Sequence, residues 1–241
     1  MAEVEWYEIV DVVAPHVVRI WTPQGSGTGF LVSISKNTPM CAVATAAHVI
    51  AHAHYWEEPI RIEHQSSGKT LILRQADRAM YVENEKDTAA IVFERGDLIL
   101  PSEVLSLAPK AKYFKSGVEI GWLGYPAMPK ASLCFFSGRI SAWIQEDDAY
   151  LVDGVAINGV SGGPAFRGDT LAGVVSAYIP NRNTGEVLPG LAVVRGVGQF
   201  HEVADSFKTL DDAKAEETPA TEPPPPAPEG ESQARSSRSS A

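Results

Sequence analysis

The segment Asn158-Gly159-Val160-Ser161-Gly162-Gly163-Pro164 sets a serine among three glycines and a proline. At ordinary residue frequencies, G-x-S-G-G-P arises by chance roughly 10⁻⁴ to 10⁻³ times per chain. A serine nucleophile needs backbone N–H groups around it to hold an oxyanion, and glycines let the chain turn tightly enough to supply them. The bland reading is a glycine-rich hairpin turn with an incidental serine.

Such a serine needs a base. Gly159-x-Ser161-x-Gly163 also satisfies the nucleophile-elbow pattern, which requires a helix directly after the serine and then an acid and a histidine. Here Pro164 to Asp169 reads as a strand and turn, and only His201 follows. A histidine and an acid are therefore sought upstream. His48 ends the small-residue run Ala44-Thr45-Ala46-Ala47, and Asp87 precedes the buried-strand pattern Thr88-Ala89-Ala90-Ile91-Val92-Phe93. Each alone reads as a packed histidine or a turn acid; the order His48, Asp87, Ser161 gives both a chemical purpose. A metal pair at His48 and His52 lacks a third ligand at suitable spacing, so no metal or other cofactor is expected.

Short strands must carry these residues. Val4 to Ala14 has one helical stripe ended by Pro15, and β-rich runs follow. They are Val17–Thr22, Gly29–Ile34, Cys41–Thr45, Ile60–Ile62, Thr70–Arg74, Ala89–Phe93, Val118–Leu123, Ser132–Ile144, Tyr150–Asp153, Leu171–Tyr178 and Leu191–Val194. Many short strands argue for a sandwich or barrel, and the looser stretch Gly96 to Ser116 divides them into two sets. Phe200, Val203, Ala204 and Phe207 are spaced for a short closing helix. Beyond Lys208 the chain is Glu-, Pro-, Ala- and Ser-rich, carries −4 of the net charge of −10, and is expected to be disordered.

Composition narrows the rest. A hydrophobic share of 44% provides for a sizeable core. No basic stripe covers the body, so nucleic acid is not an expected partner. The longest apolar run, Met40 to Ala47, is far short of the roughly 20 residues that span a bilayer, and Met1 to Trp6 does not read as a signal peptide. Two cysteines, Cys41 and Cys134, form no disulfide framework and point to a reducing compartment, most simply the cytoplasm.

Several motifs occur in one order: Gly25-Ser26-Gly27-Thr28-Gly29-Phe30-Leu31-Val32, Thr45-Ala46-Ala47-His48, Asp87-Thr88-Ala89, Gly121-Trp122-Leu123-Gly124-Tyr125-Pro126, Ser137-Gly138-Arg139-Ile140-Ser141, Gly159 to Pro164, and Leu171-Ala172-Gly173-Val174-Val175-Ser176. In these the chain resembles the chymotrypsin/trypsin-like serine proteases, especially the bacterial branch with the high-temperature-requirement proteases, over about residues 5 to 207. The resemblance implies an all-β fold of two packed six-stranded antiparallel β-barrels with short terminal helices. They would form one peptidase domain, 1–208, with barrels at about 16–98 and 112–197 and a tail at 209–241.

The same resemblance implies roles. Ser161 would be the nucleophile, His48 the base and then the acid, and Asp87 the group orienting the imidazole. Backbone N–H groups of Gly159 and Ser161 would form the oxyanion hole, and Ser176 would hydrogen-bond Asp87. Val155 would floor the substrate pocket, with Ser176, Tyr178 and Gly190 around it. With no acid at its base, the pocket should take a small or medium apolar residue, although Asp153 is two residues away. Val160 replaces the acid or amide common before the nucleophile, and Val49 removes a disulfide beside the histidine. Residues 209–241 leave no room for a peptide-binding PDZ domain. The expected activity is that of a serine endopeptidase on polypeptide substrates. The alternative is a catalytically idle or partner-activated barrel serving as a binding or scaffold module.

Overall fold

Strands that are apolar on both faces must be covered on both faces. In β2 (Gly25–Ile34), Phe30 and Val32 enter one core while Leu31 enters another. In β3 (Met40–Thr45), Ala42 and Ala44 go one way, Cys41 and Val43 the other. The computed structural model describes residues 5–217 apart from 111, 129–131 and 181–186, and it explains this two-sided burial.

With β1 (Val17–Thr22), β4 (Ile60–His64), β5 (Lys69–Leu73), β6 (Arg78–Glu83) and β7 (Thr88–Glu94), these strands form an antiparallel sheet ordered β5-β4-β1-β2-β3-β7-β6. It curls around a core that includes Ile20, Leu31, Ile62, Leu73 and Ile91, drawn from β1, β2, β4, β5 and β7. Its edge strands β5 and β6 are joined by the turn Gln75–Asp77 and not by a ladder. The Arg78 guanidinium bridges there, donating to the carbonyls of Leu73, Ala53 and Glu58. The first sheet is thus a curled, seven-stranded half-barrel, the first member of the expected pair.

The second sheet does close. It contains β8 (Ser106–Leu107), β9 (Glu119–Gly124), β10 (Cys134–Ile144), β11 (Ala149–Asp153), β12 (Pro164–Arg167), β13 (Thr170–Pro180) and β14 (Val187–Gly196). The order β12-β9-β10-β11-β14-β13 is completed by β12 pairing with β13, which makes a six-stranded antiparallel barrel. The short β8 adds parallel to β13 outside the ring. Trp122, Ile140, Val152, Val175 and Val194 fill its interior.

A third core lies between the sheets, where Phe30, Val32 and Ala44 meet Leu123, Phe166 and Val174. Helices α1 (Trp6–Val13) and α3 (Gly198–Glu217) pack on it from either end of the chain. The Trp6 ring lies 5.3 Å from Phe135, and Phe200 meets Phe30 edge-on at 5.9 Å, so both helices tie into the fold through aromatic contacts. Helix α3 runs past Lys208, where composition alone suggested that order ends. Asp211 holds it there: its carboxylate accepts from Ser35 Oγ and from the backbone N–H groups of Lys36 and Asn37 in the β2–β3 turn. Residues 218–241, expected to be disordered, lie outside the described residues. Helix α2 (Ala47–Tyr55) stands where the sequence suggested a strand end. None of the described helices is long and apolar enough to cross a membrane.

Candidate active site

Antiparallel pairing of β3 with β7 sets Thr45 opposite Ala89, so the chain leaves β3 where it enters β7. His48, in the first turn of α2, therefore meets Asp87, the residue before β7. The first N–H groups of a helix have no partner within it, and α2 has no side-chain cap of its own. Asp87 serves that end: its Oδ1 accepts the backbone N–H of His48 at 2.9 Å. The same carboxylate faces the ring, with Nδ1 2.8 Å from Oδ2 and 3.0 Å from Oδ1. From β13, the Ser176 hydroxyl donates to Oδ2 at 2.5 Å. Both sheets thus converge on one carboxylate.

Two features of Asp87 mark it as specialised. Its φ of +50° lies in the left-handed region, which an aspartate tolerates better than most residues. Burial pushes its carboxyl group up, but hydrogen bonds from the His48 ring, Ser176 and the His48 amide, together with the histidine charge, outweigh that and hold it below the usual range. An ionised Asp87 favours the tautomer with the proton on Nδ1, leaving Nε2 of the neutral ring as an acceptor. The His48 side chain is 49% exposed, against 18% for Asp87, so this ring is open to solvent.

The Ser161 loop is held by three of its own peptide groups. The N–H groups of Val160, Gly162 and Gly163 donate to the carbonyls of Ile157, Val175 and Val160. Those of Gly159 and Ser161 have no hydrogen-bond partner among the described residues. The Asn158 carbonyl accepts from Ala127 N–H at 2.7 Å, so the planar peptide turns Gly159 N–H the opposite way. Gly159 has φ +91°, and a Cβ there would fall 2.4 Å from the Tyr125 carbonyl oxygen. Gly162 has φ +88°, and its Cβ would fall 2.0 Å from the Thr28 carbonyl oxygen. Glycine is required at both positions for conformation and for space.

Thr28, for which the sequence suggested no role, ties this loop to β2. Its N–H donates to the Ser161 carbonyl at 2.8 Å, and its Oγ1 donates to the Gly159 carbonyl at 2.7 Å while accepting from Tyr125 N–H. The only sequence signal was a threonine between glycines in Gly27-Thr28-Gly29. A Cβ on Gly27 would meet Val49, the neighbour of His48, and the Ser161 carbonyl oxygen. Val49, which follows His48, and the Ser161 carbonyl are therefore both close to this one glycine. Among the described residues, no hydrogen bond joins Ser161 Oγ to the His48 ring.

The residues assigned to a substrate pocket are placed less uniformly. Gly154 N–H donates to Gly190 O at 2.9 Å, and Val155 beside it is 52% exposed. Ser176 is 1% exposed, and its hydroxyl turns to Asp87. The Tyr178 side chain lies outside the described residues. Asp153 sits exposed at the end of β11, its backbone paired with Arg139 and Leu191. His52 Nδ1 is 3.0 Å from Glu58, so His48 and His52 engage separate carboxylates. No group of three His, Cys, Asp or Glu side chains suited to a metal occurs among the described residues.

No family model and no curated protein matches the sequence. Solved structures match in fold. The Rv3671c protease of M. tuberculosis H37Rv, in its inactive form, gives a TM-score of 0.58 at 22% identity over 83% of this chain and 92% of that one. The serine endoprotease from Yersinia pestis gives 0.61 at 18% identity, over 86% and 68%. The HtrA-type protease AlgW with decapeptide gives 0.63 at 16% identity, over 86% and 67%. The chain has the double-barrel fold of trypsin-like serine proteases.

Proposed function

We propose that this chain is a serine endopeptidase that hydrolyses peptide bonds through an acyl-enzyme on Ser161. The observation that carries the proposal is the Asp87 carboxylate, which receives the His48 ring, the His48 amide and the Ser176 hydroxyl together. An imidazole held this way presents a basic Nε2, the group a serine hydroxyl needs to become a nucleophile. The unpartnered N–H groups of Gly159 and Ser161 support an oxyanion site beside it.

In this mechanism Ser161 Oγ attacks the carbonyl carbon and its proton passes to His48 Nε2. The carbonyl oxygen takes the negative charge between the two N–H groups. The C–N bond then breaks, and the leaving amine takes the proton from His48. Water repeats the sequence: its proton goes to His48, its oxygen to the acyl carbon, and Ser161 departs reprotonated. Asp87 stays ionised throughout and steadies the imidazolium. Val155 and Gly190 would receive a small or medium apolar residue before the scissile bond.

Turnover of a quenched-peptide library tests this. Ser161→Ala should abolish it, and Asp87→Asn should lower kcat about 10⁴-fold with the fold retained. Wild-type turnover that Ser161→Ala leaves untouched would overturn the proposal. A second reading, a barrel that is idle or waits for a partner, is favoured by the missing Ser161–His48 hydrogen bond. Turnover that appears only after a partner or a cleavage event is added would identify that form.

A further inference from the structure

Strand β1 alternates. Val18 and Ile20 enter the core of the first sheet, while Val17 faces the core between the sheets. Arg19 and Trp21 share the face of Val17 and continue outward to its rim, both half-buried. There the Arg19 guanidinium lies 4.1 Å from the centroid of Trp21 and 5.9 Å from that of Tyr125. From β4, the Arg61 guanidinium lies 4.8 Å from the same Trp21 ring. The indole N–H donates to Glu63 Oε2 at 2.9 Å, which sets one carboxylate beside the two guanidinium groups.

Two cations against one indole, with one carboxylate between them, leave a positive charge uncompensated. Neither guanidinium has an ion pair or hydrogen bond among the described residues, and Arg19 Nε is buried without a partner. Buried donors of this kind are normally satisfied. The Tyr125 phenol registers the same charges: burial, with Glu63 adding to it and Arg19 opposing, pushes it up to about 12.

The stack also borders the Ser161 loop. Arg19 pairs with Thr28, and Trp21 with Ser26, on the neighbouring strand. Thr28 is the residue that holds the carbonyls of Gly159 and Ser161. The pocket residues Val155 and Gly190 belong to the second barrel, whereas Arg19, Trp21 and Arg61 belong to the first sheet. A polypeptide with its preceding side chain in that pocket would carry its following residues across toward β1. Adjacent strands lie about 4.8 Å apart and an extended chain advances about 3.3 Å per residue. One strand spacing beyond Thr28, which holds the Ser161 carbonyl, is about one to two residues of extended chain, so the stack is within reach of the second or third residue after the scissile bond.

We propose that Arg19, Trp21 and Arg61 form a carboxylate-binding subsite for the second or third residue after the scissile bond, taking an acidic side chain or a free C-terminal carboxylate. The assignment of sides rests on the peptidase reading above. Guanidinium groups held over aromatic rings are well suited to bidentate carboxylate recognition.

The test uses the full chain and matched quenched peptides. One pair carries Glu or Gln at those positions with an amidated terminus; the other ends there as a free acid or an amide. The acidic member of at least one pair should be cleaved about tenfold faster in kcat/KM, with the advantage shrinking in high salt. Which pair responds identifies the source of the carboxylate. In Arg61→Gln, an exposed change, and in Arg19→Gln, the ratio should fall toward one. A ratio of one in the wild type, or a ratio unchanged in both variants, overturns the subsite. If no peptide is cleaved, the peptidase reading fails separately and the same pairs are measured by affinity for the Ser161→Ala chain. Tighter binding of the acidic member that Arg61→Gln removes sustains the subsite; equal binding overturns it.

Discussion

One carboxylate organises the candidate site, and it was legible in the sequence only as an acid before a strand. Asp87 and His48 stand out because a buried-strand pattern and a small-residue run bracket them. The Ser176 contact came from the resemblance, since nothing in Val175-Ser176-Ala177 points to a partner 89 positions upstream in the chain. The folded-state carboxyl of Asp87 lies below its ordinary value of about 3.9. A depressed carboxyl contributes stability that is complete above the unfolded value and is lost as pH falls through the folded value. Ser176→Ala removes one of the donors that lower it. Urea melts across acid to neutral pH should show the variant less stable at neutral pH, with the gap to wild type closing in acid. A gap independent of pH would mean that the hydroxyl acts through packing alone.

Elements explain why other features were hidden. Helix α2 buries only Ala47, Ile50 and Ala53, a stripe too small to distinguish a nine-residue helix from the end of a strand. Strand β6 is a half-exposed edge whose apolar run is only the four residues Ala79 to Val82, and β8 is two residues long. The long two-sided strands β2 and β3 were readable because both of their faces are apolar. What joins β2 to the Ser161 loop is a single threonine, and hydrogen bonds across 131 positions of chain leave no local pattern. Thr28→Val keeps the shape but leaves the Gly159 carbonyl and the Tyr125 N–H buried without that partner. Denaturant titration should show a loss of about 1–3 kcal/mol. On the proposed mechanism, peptide turnover should fall about 100-fold as the Ser161 loop loosens. Unchanged turnover would remove Thr28 from the positioning of that loop.

For the molecule as a whole, the strands fall into two sheets, and closure of the second depends on β12 pairing with β13, which no local signal encodes. Composition also placed the end of order too early. Asp211-Asp212-Ala213-Lys214-Ala215-Glu216-Glu217 is polar, but it favours a solvent-facing helix, and Asp211 anchors it to the β2–β3 turn. Asp211→Ala should therefore lower Tm by about 2–6 °C, as expected for losing about 1–2 kcal/mol of capping-type hydrogen bonds in a domain of this size. An unchanged Tm would show that α3 is held by Phe200, Val203 and Phe207 alone. On the proposed function, the two sheets together make the serine at position 161 reactive. Intact-mass analysis after exposure to a fluorophosphonate probe tests it most directly. One adduct is expected, mapped to Ser161 and absent in both Ser161→Ala and His48→Ala. An unlabelled native chain, or an adduct that persists in Ser161→Ala, would contradict it.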